Sequence, residues 1–173
     1  MKNFKTIQTA LLTTLFAGLF LLSSAITTAQ KSNFTGSWVL SVEKSKIPES
    51  GFRMGATKLT VTQDDLNLNI ERTSKGRDGA DRVTKEVITL DGKECENVVY
   101  QSFKRKSVAT WSADGKTLTI NSVMVFDRNG ESMEIKSSEV WKLNGDSSAI
   151  LLETTSATQN GDVKASLVYE KAK

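Results

Sequence analysis

The amino-acid sequence predicts an all-β protein, a single up-and-down antiparallel β-barrel of about eight to ten strands. Three observations carry that expectation. Proline occurs once, at Pro48, and glycine falls mostly between short segments rich in Val, Thr, Ile and Leu, which is the punctuation of strands. The stretches "DGKE" at 91–94, "ADGK" at 113–116, "RNGE" at 128–131 and "NGD" at 144–146 and 160–162 place Gly after Asn or Asp, where a hairpin turn needs positive φ. Tight turns join antiparallel neighbours, so the chain from Val83 onward reads as a meander. Curling until the outermost strands pair removes the open edges that a flat meander would leave.

Taken in order, residues 1–29 read as an export signal: Lys2 and Lys5 precede the apolar run "ALLTTLFAGLFLL", and "TTA" ends at Ala29, the expected cleavage point. The run is shorter than the roughly 20 residues of a membrane span, and no second hydrophobic segment follows. Residues 30–173 are then one exported domain, secreted or periplasmic, with no stable membrane insertion after cleavage. Strands are expected at 35–42, 58–63, 66–73, 82–90, 96–102, 104–112, 117–126, 132–143, 148–155 and 162–171. The first carries "FTGSW", in which Trp38 is expected to plug one end of the barrel. Gly36 would let a ring lie close, and the indole N–H would need a polar partner at the base.

Alternation separates two faces. Leu66, Leu68 and Ile70 oppose Asn67, Asn69 and Glu71, while Leu118, Ile120, Met124 and Phe126 oppose Thr117, Thr119 and Asn121. In the strand at 132–143, Met133, Ile135, Trp141 and Leu143 are in phase, but so are Ser137 and Glu139. Either a bulge flips the register there or the interior carries polar groups. The longest loop, 43–57, is placed over one barrel mouth, with a short helical turn near 43–45, and 75–82 reads as an exposed turn.

Composition excludes several functions. Lys and Arg number 23 against 20 Asp and Glu, and two of the lysines leave with the signal, so the product lacks the clustered basic excess of a nucleic-acid binder. Cys95 is alone, so no intramolecular disulfide forms, and it is expected as a small buried hydrophobe. The absence of histidine removes the commonest metal ligand and general base together. Asp64-Asp65 and the Glu94/Glu96 pair fall in expected turns, where water keeps carboxylates ordinary, so no catalysis is expected and no cofactor is implied.

The opening "NFTGSWVLSVEKSK" resembles the start of calycin-superfamily barrels, with Phe34, Gly36 and Trp38 at the aromatic and Gly-x-Trp positions. The closing "NGDVKASLVYEKAK" resembles the last strand of fatty-acid-binding proteins. As a whole, residues 30–173 resemble the small secreted lipocalin-like proteins of bacteria. The resemblance implies a barrel with a cavity for an apolar ligand and a structural role for Trp38. One departure stands out: where fatty-acid-binding proteins carry Arg-x-Tyr on the last strand, this chain reads Leu167-Val168-Tyr169. Tyr169 can donate one hydrogen bond but supplies no positive charge for a ligand carboxylate.

The expected function is an exported, monomeric carrier or sensor of a small hydrophobic ligand held inside the barrel, with Trp111, Met124, Trp141, Leu167 and Tyr169 as candidate lining residues. Val163 and Ala165, in phase with Tyr169, would extend an apolar wall. The same residues could equally form a packed core. The alternative is a non-catalytic envelope module that binds a protein or surface polymer, for which the cations of "SFKRKS", Lys104, Arg105 and Lys106, are the best feature.

Overall fold

The computed structural model describes residues 29–48, 55–76, 78–100, 103–128, 131–158 and 161–173. Ten strands follow in chain order: β1 Gly36–Leu40, β2 Lys58–Gln63, β3 Asn67–Lys75, β4 Asp81–Thr89, β5 Glu94–Tyr100, β6 Phe103–Trp111, β7 Thr117–Arg128, β8 Glu131–Leu143, β9 Ala149–Thr158 and β10 Gly161–Lys171. They form one antiparallel sheet in the order β4-β3-β2-β1-β10-β9-β8-β7-β6-β5. This is the up-and-down barrel that the alternation and turns predict, with every expected strand present. Of the expected export signal at 1–29, residues 1–28 lie outside the described residues.

The barrel has a solid base. Trp38, Phe34, Trp141, Leu59, Leu68, Leu118 and Ile150 are all buried there. Phe34 stacks on Trp111 at 6.0 Å and meets Trp141 edge-on at 5.7 Å. Residues 30–34 are tied across this end: Ser32 N donates to Gly115 O, Gln63 Nε2 donates to Ser32 O, and Phe34 N donates to Gln63 Oε1. The Trp38 indole N–H donates to Phe34 O at 3.0 Å, supplying the polar partner that the buried ring requires.

The ring of strands does not zip shut, and this corrects the expected β4–β5 hairpin. The "DGKE" turn forms, with Gly92 at φ 79 and Lys93 N donating to Asp91 Oδ1. Beyond it β4 and β5 share no ladder and end the sheet as its two borders. Side chains bridge the seam instead. Val87 N donates to Asn97 Oδ1 at 2.8 Å, and Asn97 Nδ2 donates back to Val87 O at 2.9 Å. The carboxamide presents one acceptor and one donor, as an opposing backbone residue would, but from one side-chain length further away. The border groups near Val87 are satisfied without a backbone ladder.

Two other expectations are settled locally. The β7–β8 register runs unbroken from Thr117↔Lys142 to Arg128↔Glu131, so no bulge rescues Glu139 and the interior does carry polar groups. In the 144–148 turn the left-handed residue is Ser147, at φ 58, rather than Gly145. Asn144 O accepts from Ser147 N, and Asn144 Oδ1 accepts from Ala149 N, with the left-handed residue two positions beyond Gly145.

After β1 the chain continues along the same edge of β10. Ser41 N donates to Val168 O, and Lys46 pairs with Ser166 as an isolated bridge. A hydrogen-bonded turn, Ser45 N to Val42 O, stands where a helical turn was expected. Residues 49–54 of the expected mouth loop lie outside the described residues.

Candidate functional site

Strand pleating puts alternate residues inside, and register sorts them into levels. Above the aromatic base, Ala109, Ile120, Glu139, Thr154 and Ala165 lie directly across from one another on β6 to β10. The next level toward the mouth is Ser107, Ser122, Ser137 and Ser156, ending at Val163. Above that come Arg105, Met124 and Ile135, and then Phe103, Phe126 and Met133. Phe103 and Phe126 contact each other at 5.7 Å near the mouth.

The lower polar level holds a charge cluster that sequence reasoning assembled only in part. Arg72 Nε donates to Glu86 Oε2 at 3.0 Å, and its Nη2 donates to Glu139 Oε2 at 2.8 Å. Arg105 Nη1 donates to Glu86 Oε1 at 2.9 Å, and the Trp141 indole N–H donates to Glu139 Oε2 at 2.9 Å. The guanidinium of Arg72 also lies over the Trp141 ring at 5.6 Å. Arg72 to Glu139 crosses the lumen from β3 to β8, while Glu86 to Arg105 spans the seam from β4 to β6.

Side-chain exposure is 1% for Glu86, 18% for Arg72, 21% for Glu139 and 26% for Arg105. Three of these inward groups are therefore reached by solvent, although the level below them is sealed. Burial alone would lower the Arg72 pKa, but the charges of Glu139 and Glu86 and the hydrogen bond to Glu139 outweigh it and raise the value. Burial alone would raise Glu139. The charge and hydrogen bond of Arg72, helped by Arg105 and the Trp141 N–H, hold its carboxyl below the usual range instead.

The signal for these residues was phase. Arg72 continues the inward series Leu68, Ile70; Glu86 precedes Ile88 and Leu90; Arg105 precedes Ser107, Ala109 and Trp111. The "FKRK" run is thereby split rather than gathered. Lys104 pairs with Glu96 at 2.8 Å and Lys106 with Glu94 at 2.9 Å on the outer face, while Arg105 turns inward. The three cations form no common patch, and the two glutamates once weighed for acid–base chemistry are their surface partners.

Of the candidate lining residues, Trp141, Leu167 and Tyr169 are buried in the lower half with the core, and Trp111 is partly buried at the base against Phe34. Met124 alone stands in the upper half, beside Arg105. The apolar wall of Ala165, Leu167 and Tyr169 is present, with Val163 above it. Cys95, partly buried, donates its S–H to Ser107 O.

Tyr169 makes a testable case. Its hydroxyl donates to Ala56 O at 2.8 Å, and burial pushes its pKa up to about 12. The folded value lies above the unfolded one of about 10, so this contribution is fully present below pH 10 and lost as pH rises through the folded value. Of the chain's two tyrosines, Tyr169 is expected to ionise late in an ultraviolet titration and together with alkaline unfolding. The Tyr169→Phe variant should lack that late phase; a late phase retained in it would contradict the assignment.

A separate concavity of about 710 Å³ lies on the outer wall, lined by Val108, Val123, Val125, Lys136 and Ala157 among others. The residues named belong to the outward phase of β6 to β9, and Ser122 and Ser137 of the inward serine level also border the hollow. It offers a rival surface to the interior.

Comparison with solved structures places the fold. The zebrafish ileal bile acid-binding protein, crystallised with cholic acid, superposes with a TM-score of 0.53 at 15% identity, covering 82% of this chain and all of that one. The chain thus has the calycin-type, fatty-acid-binding-protein-like fold, a nearly closed ten-stranded barrel. No protein-family profile and no curated protein matches the sequence.

Proposed function

We propose that the protein is an exported, monomeric carrier or sensor that holds a small hydrophobic molecule in the upper half of the barrel. The observation that carries this reading is the change halfway up the lumen. The base is sealed, yet Arg72, Glu139 and Arg105 point inward and remain accessible, so a chamber open from the mouth begins at their level. Toward the mouth the described wall carries the serine level ending at Val163, then Met124 and Ile135 beside Arg105, then Phe103, which suits an apolar guest with a polar edge. The similar zebrafish barrel was crystallised with cholic acid, which supports an amphipathic guest here. Export is supported by the signal-like character of residues 1–29.

The test uses Nile red, a neutral dye that brightens in apolar surroundings, on the delipidated protein. Uptake should saturate at one dye per chain and be abolished by Val163→Trp, which fills the upper chamber. Val125→Trp, on the outer hollow, should leave uptake unchanged. Dye binding lost only in Val125→Trp would transfer the site to the outer wall and favour the interaction-module reading.

A further inference from the structure

The polar wall of the lumen carries more specificity than a greasy chamber needs. Ser107, Ser122, Ser137 and Ser156 are direct cross-strand neighbours on β6, β7, β8 and β9, all on the inner face. With strands about 4.8 Å apart, four such residues make a hydroxyl rail about 14 Å long. One end is self-satisfied, because the Ser107 and Ser122 hydroxyls bond each other at 2.9 Å and are buried. The other end is not. Ser137 and Ser156 are only partly buried and make no side-chain hydrogen bond among the described residues. Beside them the buried Thr154 Oγ1 also lacks a partner. Buried hydroxyls without partners are costly, and a ligand oxygen placed there would remove the cost.

The neighbouring charges fix what kind of oxygen fits. Two guanidinium groups face two carboxylates, so the cluster has no surplus positive charge. Both oxygens of Glu86 and two nitrogens of Arg72 are already engaged. A carboxylate entering here would lose hydration and add a third negative charge beside Glu86 and Glu139. The unused N–H groups of Arg105 can meet a hydroxyl or carbonyl oxygen without that penalty.

We infer that the chamber selects uncharged hydrocarbons bearing hydroxyl or carbonyl oxygens along one edge, and discriminates against simple fatty acids. The selection rests on the carrier reading above but goes beyond it. Ser137, Ser156 and Thr154 are the specificity-determining groups.

The experiment displaces Nile red at pH 8 with 1-decanoylglycerol or decanoate, which share one chain and differ in the polar end. The neutral ester should displace dye at a concentration at least tenfold lower. In Ser137→Ala/Ser156→Ala the preference, read as the ratio of the two displacing concentrations so that any common change in dye affinity cancels, should shrink about tenfold, the equivalent of one or two lost hydrogen bonds, with the thermal midpoint retained. Decanoate competing as well as the ester, or a double variant with unaltered preference, would overturn the selection and leave the carrier intact. Failure of the wild-type protein to take up dye at all would overturn both.

Discussion

Replacing Arg72 with methionine is expected to destabilise the barrel by about 3–5 kcal/mol at pH 7, measured by urea unfolding, because it strands acidic partners in a largely desolvated place. Glu139 would keep only the Trp141 N–H, and Glu86 only Arg105. The sign of the pH dependence should also invert for Glu139. In the parent its folded pKa lies below the ordinary value, so its contribution is present above about pH 4.3 and lost as pH falls through the lower folded value. Without Arg72, burial dominates and the folded pKa rises above the unfolded one. The variant should therefore lose stability as pH rises from about 4 to 7. Arg72→Lys should recover little, because an ammonium cannot fork between Glu86 on β4 and Glu139 on β8 as the planar guanidinium does. Adding Glu139→Gln to Arg72→Met should restore part of the loss, a coupling that independent sites would not show. A loss below about 1 kcal/mol, independent of pH, would mean that the cluster is solvated and braces nothing.

That cluster marks the boundary of what was legible in the chain. Strand positions could be read because period-two alternation and Gly-bearing turns are local signals, and the base could be read because Phe34, Gly36 and Trp38 lie together in sequence. Glu139 announced itself as a carboxylate on an apolar face. Its partner could not be identified, since Arg72 lies 67 residues away and the two meet only across a curved lumen. The inward turn of Arg105 was hidden for a related reason. Adjacent charges look like a patch, but on a pleated strand they alternate between opposite faces, which sends Arg105 in and its neighbours out. The seam was hidden more deeply. Nothing in the composition of β4 or β5 separates a laddered pair from one bridged by side chains, here Asn97 to Val87 and Thr84 to Val99. The serine rail is likewise a property of register: four serines in four strands become one feature only when the strands are aligned.

Removing the base plug should have the second large effect. Trp38→Ala is expected to cost about 3–5 kcal/mol of unfolding free energy, the usual penalty for emptying a buried large aromatic site. Trp38 is 2% exposed, and its N–H is the tie that holds the Phe34 carbonyl at the base. Its loss should loosen residues 30–34 and the Phe34 stack on Trp111, which near-ultraviolet circular dichroism would report. Gly36 supplies the internal control. A Cβ there would sit 3.3 Å from the Trp38 ring, and its φ of 151 already disfavours a side chain. Gly36→Ala should therefore cost about 1–3 kcal/mol in the parent, from crowding as well as backbone strain. In the Trp38→Ala background the crowding vanishes and only the strain remains, so the same substitution should cost measurably less. Equal costs in the two backgrounds would separate Gly36 from the ring, and a Trp38→Ala protein as stable as its parent would remove Trp38 from the base altogether.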